Sequence, residues 1–297
     1  NFLNKPDGSR GWASLFLSQG YEVYLVDQTL RARSPWQHGR YAAAPSTYSA
    51  EMVERFFTNP REHMLWPQAA LHTQWPGRGT MGDPVFDRFY SAGVPFVNNA
   101  SYQQSTVREA GAALLDRIGR PVVLVGHSQG GILPVVLADA RPEWAAKLVL
   151  LEPGGAPFRD AVLGTSPARA WGVADVPLVY DPPVTDPAVD LKRAVRPASR
   201  ADRVECILQA EGTDEKNGTP PRRLVHLADK DILLVTSESG YHAVYDYCTV
   251  AYLRQAGCKK TTHLELGKAG IHGNGHMFFM EKNSDLIQGV VRDWIDG

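Results

Sequence analysis

Two apolar runs constrain this chain more than any other feature. "PVVLVG" occupies residues 121–126, and "AAKLVLLEPGG" follows at 145–155. A strand with one wet face alternates apolar and polar residues, whereas a strand covered on both faces does not. Both runs therefore predict strands buried between two layers. The stretch between them, "GGILPVVLADA" at 130–140, reads as a helix in spite of Pro134. Strand, helix and strand in that order predict a parallel sheet with helices on both faces.

The pattern continues along the chain. "SRGWASLFLSQG" has helical spacing at Trp12, Leu15 and Phe16, with Gly20 as its stop. "YEVYLVD", rich in β-branched and aromatic residues, predicts a strand ending at Asp27. Further helices are expected near 49–58, in "STVREAGAALLDRIG", in "YHAVYDYCTVAYLRQAG" and in the closing "NSDLIQGVVRDWIDG". "DILLVTSES" and "TTHLEL" predict two more strands. No internal repeat is visible. The expectation is one α/β domain over 1–297, with irregular, Pro- and Gly-rich excursions at 28–104 and 153–200 that serve as a lid or bind substrate.

The candidate chemistry lies at the end of the first buried run, in "VVLVGHSQGG" at 122–131. A Gly-x-Ser-x-Gly pattern needs only three fixed residues and carries little weight alone. Here it falls where a buried strand hands over to a helix. A serine at that point sits on a tight, strained turn. The flanking glycines remove Cβ atoms that would clash, and the side chain is pushed out above the sheet edge. The helix that follows presents unpaired N–H groups to a developing oxyanion. The bland alternative is a turn serine.

"GHSQGG" after "VVLV", with a late histidine before a final helix, resembles the α/β-hydrolase superfamily over nearly the whole chain. "LEPGG" and "GIHGNGHMFF" further resemble a small bacterial and fungal esterase group, whose triad acid follows the strand after the nucleophile helix. The resemblance implies an α/β-hydrolase fold with Ser128 as nucleophile, His276 as base and Glu152 as acid.

The chemistry asks for these residue types independently. A serine hydroxyl needs a base to take its proton, and an imidazole can do so near neutral pH. A carboxylate must hold the imidazole tautomer and stabilise its cation. His276 stands in a Gly-rich loop, read as flexible, just before the last helix, and His272 stands four residues earlier in the same loop. The motif favours His276 as the base and leaves His272 an ordering hydrogen bond. Glu152 has a rival in Glu238, which ends the run "DILLVTSES", where most α/β-hydrolases keep their acid. Asp229 and Asp231 fall at the other edge of the sheet, as turn carboxylates.

Several classes of function are disfavoured. A formal charge of -1 gives no electrostatic reason for nucleic acid or an anionic membrane as partner. No apolar run is long enough to span a bilayer. "GRGTMG" at 77–82 fits a dinucleotide fingerprint, but it neither leaves a strand nor opens a helix. His38 in "HGR" falls in the wrong place for an oxyanion loop. His272 and His276 have zinc-pair spacing but lie in a loop with no adjacent carboxylate. Neither a cofactor nor a metal is expected. Cys206, Cys248 and Cys258 allow one disulfide plus a free thiol, or a bond outside the chain. With sequons at Asn99 and Asn217 as candidate glycan acceptors, the balance favours an extracellular, secreted protein.

In the α/β-hydrolase fold a strand ending in the oxyanion loop precedes the first major helix. Here only "NFLNKPDG" stands before it. A preceding segment or companion chain is therefore expected to complete the sheet. It would supply the second oxyanion donor beside the Gln129 backbone N–H. The expected reaction is serine-dependent hydrolysis of a small-molecule carboxylic ester through an acyl-enzyme. A lactonase, acyltransferase or peptidase would use the same triad, and a ligand-binding receptor on a hydrolase scaffold is the alternative from another class. The substrate is not readable, although Trp36, Trp66, Trp75, Phe86, Phe89, Tyr90, Phe158 and Trp171 place many aromatic rings in the excursions.

Overall fold

The apolar runs form strands. The second buries both faces over 148–151. The first, expected to be buried on both faces, is an edge strand among the described residues and leaves Val125 exposed, because no neighbour covers that side. In a computed structural model of the chain, which describes residues 2–36, 45–211 and 220–297, four strands make one parallel sheet. These strands are β1 (Val122–His127), β2 (Ala145–Leu151), β3 (Asp231–Thr236) and β4 (Thr261–Glu265), and they lie side by side in chain order. The two central strands are the most apolar: Leu148, Leu150, Leu151, Ile232, Leu234 and Val235 are fully buried. The helices Ala100–Ile118, Leu133–Ala140 and Asp246–Gln255 bring Leu115, Val135, Val136, Val250 and Leu253 into the same core.

Contacts along the chain divide it into two compact units. The second unit, Ala100–Thr236 with His242–Glu265, holds the sheet. It also contains two short antiparallel ribbons, Tyr180–Asp181 with Arg223–Leu224 and Arg193–Arg196 with Cys206–Gln209. A disulfide joins Cys206 to Cys248, tying a ribbon to the Asp246–Gln255 helix, and Cys258 is free and buried. Of the readings open from sequence, one bond with one thiol is the arrangement found.

The first unit is Asn1–Asn99, Ser237–Tyr241 and Leu266–Gly297. Its helices include Trp12–Ser18, Pro84–Ser91 and Ser284–Asp296. Trp12 Nε1 donates to the Ser284 carbonyl at 3.1 Å, and Lys5 Nζ reaches Ser284 Oγ and Asp285 Oδ1, each at 2.9 Å. The early helix is thereby fastened to the last one.

One predicted strand does not form. Residues 21–27 make no ladder, and Tyr24, Leu25 and Val26 are exposed. Strand propensity describes a side chain's fit to a pleated, half-buried surface. No strand pairs with this segment among the described residues, so its aromatic and β-branched residues have no such surface to join. Pro134 does not interrupt its helix, because it stands in the first turn, where its missing N–H costs no hydrogen bond.

Candidate active site

The carboxyl ends of β1 and β2 bring Ser128 and Glu152 to the same edge of the sheet. His127 pairs with Leu151 in the parallel register, so Ser128 and Glu152 each stand one residue past a paired position. Both carry left-handed backbone, with φ of 55° at Ser128 and 44° at Glu152. Non-glycine residues take that conformation at a cost of about 1–3 kcal/mol, so the surroundings must hold it in place.

What holds it is close backbone packing. A Cβ on Gly126 would stand 2.3 Å from the Gly130 carbonyl oxygen, and one on Gly131 would stand 2.5 Å from Pro153 Cα. Glycine at 126 lets the serine turn close on itself, and glycine at 131 lets it approach the turn that carries Glu152. Gly154 N–H then donates to the Ser128 carbonyl at 2.8 Å, and Glu152 N–H donates to the Val235 carbonyl at 3.0 Å. "GHSQGG" and "LEPGG" are thus one interlocked structure. Ser128 opens a 3-10 turn, Ser128–Ile132, that leads into the helix Leu133–Ala140. Ser128 and Gln129 are half-buried, and Glu152 is fully buried.

His276 belongs to the first unit and is almost fully buried there. Its Nε2 lies 3.2 Å from Tyr241 Oη, and its ring packs against Tyr241 and Phe57. The loop that carries it was expected to be flexible, yet it is stitched at many points. Gly273 accepts backbone bonds from Thr73 and Gln74 at 2.9 and 3.2 Å. Ser239 donates to the Asn274 carbonyl from both its backbone N–H and its hydroxyl. The buried Glu281 accepts from Asn274 Nδ2 at 2.9 Å and from Gly275 N–H, and it faces His72 Nε2 at 2.8 Å.

Glu238 and His272 pair with each other in the first unit. His272 Nδ1 lies 2.8 Å from Glu238 Oε1, and Gly273 N–H donates to Glu238 Oε2 at 2.7 Å. Asn99 is exposed just before the helix that opens at Ala100. Asn217 and His38 lie outside the described residues.

Sequence reading missed a buried network in the second unit. His242 Nδ1 lies 2.8 Å from Asp246 Oδ1, and Tyr245 Oη lies 3.0 Å from His242 Nε2. Thr236 Oγ1 donates to Asp246 Oδ2 at 2.8 Å and stands 2.9 Å from His263 Nε2. A His242 ring nitrogen lies within 4.8 Å of a Glu152 carboxylate oxygen. Burial pushes the Asp246 carboxyl up, to about 6, and the Glu152 charge adds to the rise against the opposing pull of His242 and Thr236. A histidine and an aspartate four apart in a strongly apolar helical stretch were the readable signal. Both ring nitrogens of His242 are engaged, so this group reads as a hydrogen-bonded network and not as a metal ligand set.

No family model matches the chain. Among curated proteins, the probable secreted lipase phiG of Fungal sp. is 45% identical over 296 residues, covering 99% of this chain and 78% of that protein. Lipase LipV of Mycobacterium tuberculosis is 40% identical over 103 residues, 30% of this chain and 40% of its own length. Among solved structures, a bacterial esterase shares the fold with a TM-score of 0.58 at 18% identity, covering 99% of this chain and 76% of that one. A parallel sheet, a strained serine turn at its carboxyl edge and 45% identity held across the chain agree: the chain belongs to the α/β-hydrolase superfamily, among its serine-dependent carboxylic ester hydrolases.

Proposed function

We propose that this enzyme cleaves carboxylic esters through an acyl-enzyme on Ser128, with His276 as the general base and Glu152 as the acid that orients it. Ser128 Oγ attacks the ester carbonyl carbon while His276 takes its proton. The Gln129 backbone N–H donates to the oxyanion of the tetrahedral intermediate. Collapse breaks the C–O bond, and the alcohol leaves with the proton held by His276. Water then attacks the acyl-serine, its proton passing through the same imidazole, and the carboxylic acid is released.

The observation that carries this reading is the interlocked pair of left-handed turns at Ser128 and Glu152. Such strain is kept where the structure over-determines it, and it clusters at sites that do chemistry. We assign 1–297 to one working hydrolase domain, with 28–104 and 153–200 as its substrate-binding excursions. Because the phiG relative is named a secreted lipase, acyl-chain esters are the first substrates to try. The same relationship places the protein outside the cell, where the exposed Asn99 would be open to glycosylation.

A fluorophosphonate probe tests the nucleophile. Peptide mapping should find the adduct on Ser128, and folded Ser128→Ala should lose both the label and roughly 10³-fold or more of kcat. An adduct on another serine, or a Ser128→Ala variant that keeps most of its kcat, would overturn the assignment. Slow or absent labelling of the wild type would favour a ligand-binding role on a hydrolase scaffold.

A further inference from the structure

Glu152 is fully buried, and a buried carboxylate with no compensating charge takes up a proton. In that form it would carry no charge to stabilise an imidazolium, as the acid of the site must. The compensation has to come from a nearby group. In the second unit the group at hand is His242, with a ring nitrogen within 4.8 Å of a Glu152 oxygen.

The His242 ring cannot turn away. Asp246 Oδ1 lies 2.8 Å from its Nδ1 and Tyr245 Oη lies 3.0 Å from its Nε2, and His242, Asp246 and Tyr245 are all at most 2% exposed. Asp246 is itself fixed by Thr236 Oγ1 at 2.8 Å, which stands next to His263 Nε2. Thr236 ends β3, and β3 pairs with β2, so the network is anchored on the strand beside the one that presents Glu152.

We propose that His242, held by Asp246 and Tyr245, is a positioning residue that keeps the Glu152 carboxylate ionised and aimed. The acid of the site is then a buried carboxylate–histidine–carboxylate group and not a lone glutamate. Asp246 engages the ring at Nδ1 and Tyr245 Oη engages it at Nε2, which fixes His242 within 4.8 Å of the Glu152 carboxylate. A single partner for a buried ion is worth little if it costs as much to bury, whereas His242 and Asp246 are also engaged by Tyr245 and Thr236.

This inference rests on the assignment of Glu152 as the acid. It is tested by a double-mutant cycle with Glu152→Gln and His242→Gln in the full chain, measuring kcat and KM on a soluble p-nitrophenyl ester. Each single variant should lower kcat about 10-fold or more and leave KM within about twofold. The double variant should be scarcely slower than Glu152→Gln alone, because His242 acts through a charge that is no longer there. Equal fold-losses from His242→Gln in both backgrounds would mark a merely structural histidine and overturn the inference, leaving the acid assignment intact. Wild-type kcat in Glu152→Gln would overturn the acid assignment and the inference with it. Should His242→Gln fail to fold, Tyr245→Phe removes one hydrogen bond from the same ring. Its smaller kcat loss, about threefold, should likewise vanish in the Glu152→Gln background, and its persistence there would count against the inference.

Discussion

His72 Nε2 lies 2.8 Å from Glu281 Oε1, and neither side chain is more than 3% exposed. Glu281 accepts from the Asn274 amide and from Gly275 N–H as well, so one buried carboxylate gathers the loop that ends at His276. A Cβ on Gly275 would stand 2.9 Å from the His72 ring, which leaves glycine as the residue that fits there. Glu281→Gln keeps the shape and turns one oxygen into a donor that faces other donors. The expected cost is about 3 kcal/mol of stability, since buried partners are left unpaired. If His276 is the base, kcat should fall with it while KM holds. Urea unfolding and steady-state kinetics check both, and unchanged values would show that the loop does not depend on this carboxylate.

Much of this arrangement is legible in sequence, and the illegible part has a common cause. Strand ends are local: an apolar run that stops at His127 or Leu151 announces where Ser128 and Glu152 emerge, and the parallel register brings those positions to one edge. The glycines of "GHSQGG" are local too, although the close approach that Gly131 permits to Pro153 of the neighbouring turn appears only in three dimensions. The locking of the His276 loop depends on His72 and Glu281, which are 209 residues apart, and no spacing rule links them. The misread strand at 21–27 fails for the complementary reason: propensity describes a segment, but a ladder needs a partner.

Glu152 and Glu238 differ in their surroundings in a way that kinetics can read. Glu238 is bonded to His272 Nδ1 and to Gly273 N–H, and the His272 side chain is largely exposed. Glu152 is wholly buried on the turn locked to Ser128. Glu152→Gln should therefore slow turnover far more than Glu238→Gln, by a margin of about 10²-fold. Both exchanges keep size and remove charge, so the comparison isolates the electrostatic role. A larger loss from Glu238→Gln would move the acid to the strand that most relatives of the superfamily use.

Asp246 makes a prediction about pH. Burial pushes its carboxyl up from 3.8 to about 6, with the Glu152 charge adding to the rise. Between those values the folded protein holds a proton that the unfolded chain has released. Stability from this group is therefore fully present below pH 3.8 and falls as pH rises through about 6. Asp246→Asn lacks the titration. The stability of the wild type relative to Asp246→Asn should decline across that window and level off above it, as read from urea melts at a series of pH values. A difference that grows with pH would mean that the carboxyl is held below its ordinary range.

The three cysteines divide into two kinds of chemistry. Cys206 and Cys248 are bonded across a separation of 42 residues, long enough that opening the bond should cost about 4 kcal/mol through the freedom regained by the unfolded chain. Cys258 is fully buried, and burial pushes its thiol up to about 12, so almost none of it is thiolate near neutral pH. The native protein should accordingly give no rapid reaction with a chromogenic disulfide reagent. Denatured without reductant it should show one thiol, and after reduction three. Cys206→Ala with Cys248→Ala should lower the unfolding midpoint in urea yet leave the slow native reactivity of Cys258 unchanged, because that thiol is shielded by the core and not by the bond. A thiol that reacts quickly in the native state would place Cys258 at the surface and remove it from the core beneath the sheet.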